Sequence, residues 1–323
     1  MAAAFLAAVA ALAVRTARGW TGKDFAIYGN AGRTLLSGSW LHAYHDPKAQ
    51  AGPFQLALTA ILRELFGTRG TTLALVSDLL VAALIVLAVR SLAGRGSAVG
   101  LALLAVVALA VGVTVHPYTT GHFGEPIIAV IWLVAAREAR RGRVLLAGVL
   151  VAAAGGFELW GILGVSVLAL APTWRGAAKG AALAAALFVA QFVPFVVGGD
   201  FNLFGYRWYV TGGALSLFFH GMTFGWPLRV LQAAVVLGIT IPLARRMRGL
   251  AASVFVLPAA TAMIRLGIDP MGTFYYWDAP LVIELVGLAA AVSHLDEIRT
   301  WAAGRLGRLA PSLEGPSLDG PSV

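Results

Sequence analysis

The sequence predicts an all-α membrane protein that crosses the bilayer about ten times and carries one long polar loop after its first apolar run. Two observations lead to this prediction. Hydrophobic residues make up 59% of the 323-residue chain and charged residues 12%, against roughly 25% charged in soluble domains. Mean hydropathy is +0.83, and the apolar residues fall in long runs with short basic connections. This pattern is typical of a polytopic helix bundle.

The apolar runs define the predicted spans. Clear runs occupy residues 1–15, 71–89, 98–115, 181–198, 227–244, 249–266 and 279–295, and a shorter run covers 123–136. The run 144–171 is long for one crossing and short for two, since a span needs about 20 residues. Two short crossings that meet near Glu158 keep the Arg245–Arg248 cluster on the inner side with the other short basic loops. We therefore expect a multi-pass protein of the cell membrane with both termini cytoplasmic.

Residues 1–295 are predicted to form one transmembrane domain, in which 16–70 is an outer loop. Two segments of that loop have the spacing of amphipathic helices. Their apolar positions are Phe25, Tyr28, Leu35 and Leu36 in the first, and Phe54, Leu58, Ile61, Leu62 and Leu65 in the second. We expect both helices to lie in the outer membrane interface. Residues 296–323, rich in Pro, Ser and Gly, are predicted to be a largely disordered cytoplasmic tail.

Composition and motifs exclude several classes of function. The chain has no cysteine, which excludes disulfides and thiol chemistry. Its net charge of +9 comes from short inner loops, so it indicates membrane topology and contact with anionic membrane lipids, and no nucleic-acid partner is expected. The sequence lacks a P-loop, a dinucleotide fingerprint and the His-Glu-x-x-His and Gly-x-Ser-x-Gly motifs. We predict no cofactor and no metal site.

The polar residues gather on the predicted outer side, which indicates a polar cavity that opens outward. Asp24 is the first candidate, as a general base that takes a proton from a hydroxyl group. Thr21-x-x-Asp24 is equally typical of a capping box at the start of a helix. The two roles are compatible, and the sequence does not separate them.

A second group of candidates follows the third apolar run. In the segment from His116 to Pro126, Pro126 suits the first turn of a helix, and Glu125 then lies at the helix N-terminus, where negative charge is favourable. His122 and Glu125 are either substrate contacts or parts of a capped turn, and as a metal pair they lack an obvious third ligand. Glu158 is an intramembrane carboxylate, either functional or paired with an outer cation.

Two aromatic outer loops complete the set of candidates. In the last outer loop, Trp277 and Asp278 are typical of a membrane-interface anchor, or of a site where a sugar ring stacks and its hydroxyls are bound. In the loop 199–226, Arg207 and His220 stand among aromatic residues. A cation in that setting suits a lipid-phosphate head group, and a membrane-lying lid is an equal alternative.

Three stretches, in order, resemble the GT-C superfamily of membrane glycosyltransferases, and most closely glycosyltransferase family 87. Asp24-Phe-Ala-Ile-Tyr28, with Leu-Leu-Ser-Gly38 and Tyr44, resembles the family's acidic residue, Tyr and Leu-Leu-x-Gly pattern. Gly121-His122-Phe-Gly-Glu125 resembles its Gly-Gln-x-Asn segment, and Asp269-Pro…Trp277-Asp278 resembles a late Ser-Pro…Trp loop. The chain departs from the pattern at three of its positions. These are His122 in place of Gln, Glu125 in place of Asn and Glu158 in place of a common Lys.

The resemblance implies a GT-C-like fold and transfer of a sugar from a polyprenyl-phosphate donor, with mannose as the expected sugar. The acceptor implied is a glycolipid or cell-wall glycan on the outer face. Asp24 would deprotonate the acceptor, and Arg207, His220 or His122 would stabilise the departing phosphate.

Two other readings stay open at the level of sequence. In a transporter or lipid flippase, Asp78, Glu158 and Glu284 would line a path through the membrane, although the chain lacks repeated halves. In a non-catalytic relative, the same fold would serve binding or scaffolding.

Overall fold

A computed structural model describes residues 2–16, 22–68, 71–93 and 113–293. The chain is mostly helical, as predicted. In the described residues, four helical stretches are long and apolar enough to cross a membrane: Thr71–Leu92, Trp174–Gly198, Trp226–Met247 and Phe274–Ala291. These helices are compatible with a membrane protein, and the count of ten spans stays a prediction. Most of the predicted span 98–115 and the predicted tail 296–323 lie outside the described residues.

The helices are named here in chain order. They are α1 (Ala2–Thr16), α2 (Lys23–Leu35), α3 (Pro53–Phe66), α4 (Thr71–Ala93), α5 (His116–Thr120), α6 (Gly124–Arg140), α7 (Val144–Phe157), α8 (Trp174–Ala190), α9 (Val193–Gly198), α10 (Ser216–Phe219), α11 (Trp226–Met247), α12 (Ser253–Gly267) and α13 (Asp278–Ser293). Short 3₁₀ helices occupy Trp40–His42, Leu159–Leu170, Leu203–Gly205 and Phe274–Trp277. Strands β1 (Trp208–Tyr209) and β2 (Thr223–Phe224) pair antiparallel, with Trp208 opposite Phe224.

The main apolar core lies between α1, α4, α6 and α13. Ile85, Trp132, Leu133 and Val286 are fully buried there. The Trp132 indole N–H donates a hydrogen bond of 2.8 Å to the Gly161 carbonyl, which ties α6 to the long 3₁₀ helix. An indole buried among apolar groups needs such a partner, because an unpaired buried donor is costly.

The segment 144–170 folds as a hairpin of two short helices, α7 and the 3₁₀ helix Leu159–Leu170. At 1.5 and 2.0 Å per residue they span about 21 and 24 Å, each less than the roughly 30 Å of a hydrocarbon core. Glu158 is the extended residue between them, with φ −129° and ψ 138°. The predicted junction of two short segments at Glu158 is therefore present, and the hairpin holds this carboxylate inside the bundle.

The two helices predicted within residues 16–70 are present as α2 and α3, and they pack against each other as a pair. Arg33 and Glu64 form a 2.9 Å ion pair across them, and Arg63 donates a 2.7 Å hydrogen bond to Asn30. Phe25 and Tyr28 of the first predicted stripe are buried, whereas Leu35 is half-buried and Leu36, the C-cap residue of α2, is exposed.

The second stripe is only partly correct. Phe54, Ile61 and Leu65 are exposed, whereas Gln55 and Thr59 are buried. Polar side chains of α3 face inward because Gln55 reaches the Gly121 carbonyl and Thr59 bonds to α3's own backbone. The exposed apolar face suits the predicted interfacial position.

Candidate functional site

The site is built around His122, in the turn between α5 and α6. Gly121 has φ +89°, a left-handed conformation that favours glycine, and a Cβ there would lie 2.6 Å from the backbone N of Phe25. A Cβ on Gly124 would lie 2.5 Å from the Cγ of Glu158. The two glycines that flank His122 thus allow α2 to approach from one side and Glu158 from the other.

The start of α2 is fixed beside this turn. The Gly22 N–H donates a 2.6 Å hydrogen bond to the Thr119 carbonyl, and Gly22 is the N-cap residue of α2. The helix has no side-chain cap at Gly22, and Thr21, the first residue of the expected capping box, lies outside the described residues. Asp24 directs its carboxylate toward His122.

Asp24, His122 and Glu158 form a continuous hydrogen-bonded row, which we call the carboxylate–histidine row. His122 Nε2 lies 3.1 Å from Asp24 Oδ2, and His122 Nδ1 lies 3.1 Å from Glu158 Oε1. The side chains of His122 and Glu158 are 5% and 6% exposed, whereas that of Asp24 is 40% exposed. Asp24 is therefore the member of the row that a bound molecule can reach.

Aromatic rings hold the imidazole in place. Tyr275 stacks on it with ring centroids 3.9 Å apart, and Tyr28 contacts it edge-on at 5.4 Å. Burial disfavours the charged imidazole, but the hydrogen bonds to Asp24 and Glu158 outweigh it and raise the pKa of His122 to about 9. Burial, with the charges of Glu158 and Asp24, raises the pKa of Tyr28 well above its ordinary value, so Tyr28 keeps its proton.

A second charged cluster consists of Asp269, Arg229, Arg265 and Glu125. Asp269 Oδ2 accepts a 2.7 Å hydrogen bond from Arg229 and lies 3.5 Å from Arg265, which is 3.7 Å from Glu125. Burial opposes the charge of Asp269, but Arg265 and Arg229 outweigh it and hold the pKa of that carboxyl below its usual range. Arg265 also lies between the rings of Trp160 and Tyr276, at 4.4 and 4.2 Å from their centroids.

A cavity of about 730 Å³ is lined by members of both groups and by many apolar side chains. Its charged lining residues are Asp24, Glu158, Lys23, Lys48, Arg229 and Arg265, and His122 lies beside them. Apolar residues of α8–α9 and α11 form a part of the lining that we call the apolar channel, among them Phe188, Phe192, Val196, Val197 and Val230. Val196, Val197 and Val230 are 56%, 81% and 66% exposed, so these apolar lining residues also face the surroundings of the bundle.

The structure brings together part of the predicted site. Asp24, His122 and Glu158 meet as described, and Glu125 lies at the start of α6, as predicted, fully buried and facing Arg265. The other predicted contacts do not line the cavity in the described part of the chain. Arg207 and His220 are exposed, Trp277 is half-exposed, and Asp278 is buried at the start of α13.

Sequence reasoning missed the cations and rings that the structure places at the site. Arg229 and Arg265 interrupt apolar helices, and an intramembrane cation is itself a signal of function. Tyr275 gave no such signal, since aromatic residues are common near a membrane surface. Tyr28 was named in the first apolar stripe and in the family-like pattern, but nothing in the sequence placed it beside His122.

No protein-family model, curated protein or solved structure matches this chain.

Proposed function

We propose that this chain is a membrane glycosyltransferase. In this proposal it moves a sugar, mannose as the first candidate, from a polyprenyl-phosphate donor to a glycolipid or cell-wall glycan on the outer face of the cell membrane. The observation that carries the proposal is the cavity, whose lining combines a reachable carboxylate and several cations with exposed apolar residues of α8–α9 and α11.

The apolar channel suits the lipid part of such a donor. Helices α8–α9 and α11 belong to stretches that are apolar enough to span a membrane, so their exposed valines would face hydrocarbon. A prenyl chain could then stay in contact with the bilayer while its phosphate enters the cavity. Burying apolar area in this way favours binding by about 25 cal/mol per Å².

The cavity's cations suit the donor phosphate. Lys23 and Lys48 come from the outer loop, and Arg229 comes from the first turn of α11. Charge-assisted hydrogen bonds from such groups stabilise a departing phosphate as its negative charge grows. These residues replace Arg207 and His220, which lie away from the cavity, as the proposed phosphate contacts.

Asp24 is the proposed general base. The acceptor hydroxyl oxygen bonds to the anomeric carbon as the bond from that carbon to the phosphate oxygen breaks. The electron pair leaves with the polyprenyl phosphate, and the hydroxyl proton goes to the Asp24 carboxylate. Asp24 is suited to this step because one oxygen is held by His122 while the side chain stays 40% exposed toward the cavity.

The transporter reading gains no support from the described residues. Of its three proposed path residues only Glu158 lines the cavity, and it is engaged by His122. Asp78 is buried in α4, and Glu284 is exposed on α13.

Glycolipid profiling of a deletion strain tests the proposal. The deletion should truncate an outer glycan or glycolipid while the lipid carrier turns over normally, and complementation with the wild-type gene should restore the profile. Accumulation of unmodified carrier on the inner side would instead indicate a flippase, and an unchanged profile would contradict the proposal.

A further inference from the structure

We propose that Glu158 is a positioning residue that acts through His122: it keeps the imidazole oriented and doubly protonated, so that His122 donates one N–H to Asp24. This inference rests on the proposed role of Asp24 as the base. It assigns Glu158 a task distinct from contact with the donor.

The first argument is the number of donors. A neutral imidazole has one N–H, whereas an imidazolium has two. In the carboxylate–histidine row both ring nitrogens lie 3.1 Å from a carboxylate oxygen, and ionised carboxylates only accept hydrogen bonds. With both carboxylates ionised, both contacts are satisfied at once only when His122 carries both protons.

The second argument is access. The Glu158 side chain is 6% exposed and the Asp24 side chain is 40% exposed, so the two carboxylates at the ends of the row are not equivalent. A Cβ on Gly124 would lie 2.5 Å from the Cγ of Glu158, so this glycine allows the close approach of the Glu158 side chain. Glu158 is buried, and it contacts Asp24 through the imidazole of His122.

The third argument is the fixed geometry of the ring. Tyr275 covers one face of the imidazole and Tyr28 meets it edge-on, so rotation of the ring would lose both contacts. The same orientation aims Nε2 at Asp24. With its proton on Nε2, His122 holds Asp24 Oδ2 and leaves the other carboxylate oxygen to meet a hydroxyl group.

Several titratable and charged groups surround the imidazole of His122. Asp24 and Tyr28 face His122 from α2, Glu158 faces it from the hairpin, and Tyr275 faces it from the 3₁₀ helix before α13. Farther away, Arg265 adds a positive charge, and the buried carboxyl of Glu125 lies 3.7 Å from it. Removing the charge of Glu158 leaves Asp24 as the one carboxylate in contact with the ring, while burial of the ring opposes its charge.

The test compares Glu158→Gln, Glu158→Asp and the control Glu64→Gln, an exposed carboxylate on α3, in the full-length protein in lipid nanodiscs. Transfer from polyprenyl-phosphate mannose to a lipid extract of the deletion strain is measured across pH. We expect wild type and Glu64→Gln to lose activity near pH 9, where His122 loses its proton. In Glu158→Gln this alkaline loss should move down by about one pH unit or more, and Glu158→Asp should restore part of the shift. An unchanged alkaline limb in Glu158→Gln would overturn the inference.

A second measurement does not depend on activity. A titration of ¹⁵N-labelled histidines by NMR, with His122→Gln to identify the signal, should show His122 titrating at lower pH in Glu158→Gln than in wild type. Equal titration would overturn the inference even if transfer fell. Absence of transfer by wild type would contradict the proposed function, and the titration would still decide the role of Glu158.

Discussion

Replacing Gly121 by alanine should separate α2 from His122, because two costs combine at this position. The residue has φ +89°, and a left-handed conformation costs an L-residue roughly 1–2 kcal/mol. The new Cβ would also lie 2.6 Å from the backbone N and 2.7 Å from the Cα of Phe25. Backbone atoms of a packed helix cannot rotate away, so overpacking adds about 1–3 kcal/mol. The sum is roughly 2–5 kcal/mol.

Gly142→Ala is the matched control for this change. Gly142 has φ +79°, and nothing lies within 4 Å of a Cβ built there, so it bears only the conformational cost of roughly 1–2 kcal/mol. We expect Gly121→Ala to lower the thermal unfolding midpoint in nanodiscs more than Gly142→Ala does. Transfer activity should fall steeply in Gly121→Ala alone, since Phe25 is next to Asp24 and its displacement moves the base. Equal losses of stability and activity in the two variants would show that no clash between residue 121 and α2 displaces Asp24.

Three further outcomes are expected. Lys23→Gln removes a cation that lines the cavity and should raise the KM for the donor about tenfold. Arg33→Gln, on the same helix, should leave this KM unchanged. Equal KM values for the two variants would show that Lys23 does not bind the donor phosphate. Val196→Trp should fill the apolar channel and impair transfer from a long polyprenyl donor more than transfer from a short citronellyl analogue. The control is Leu231→Trp, at an exposed position. Equal impairment with both donors would contradict a binding site for the prenyl chain there.

The third outcome concerns stability. Folding raises the pKa of His122 from its ordinary value of 6.5 to about 9. The stabilisation that the protonated His122 gives the folded protein is therefore complete below pH 6.5 and is lost as pH rises through about 9. Across that window wild type should therefore lose up to roughly 3 kcal/mol more stability than His122→Gln loses, as followed by the unfolding midpoint. Losses of the same size in both proteins would contradict the assignment.

The sequence allowed the prediction of features that depend on local pattern. Helical spacing in the outer loop predicted α2 and α3, and the length of the run 144–171 predicted a junction at Glu158. Pro126 and Glu125 predicted the start of α6. Each of these depends on neighbours a few residues away, where propensity and capping act.

The pairing within the site depends on contacts between distant parts of the chain. His122 is 98 residues from Asp24 and 36 from Glu158 in sequence, so no local pattern links them. Glu158 stands where the resembled family commonly has a Lys, and the sequence does not show what balances its negative charge. In the structure that carboxylate is matched by His122, itself a departure from the pattern. Burial of α3's polar face was equally hidden, because Gln55 turns inward for a partner in a distant turn.

The rate of sugar transfer by Asp24→Asn decides whether Asp24 is the general base. Purified wild type, Asp24→Asn and the control Asp200→Asn, an exposed carboxylate outside the cavity, are compared in nanodiscs at equal folded concentration with polyprenyl-phosphate mannose and the acceptor lipid extract. Loss of a general base predicts a rate roughly 10²–10⁴-fold below wild type for Asp24→Asn and an unchanged rate for Asp200→Asn. Full transfer by folded Asp24→Asn would show that Asp24 is not the general base.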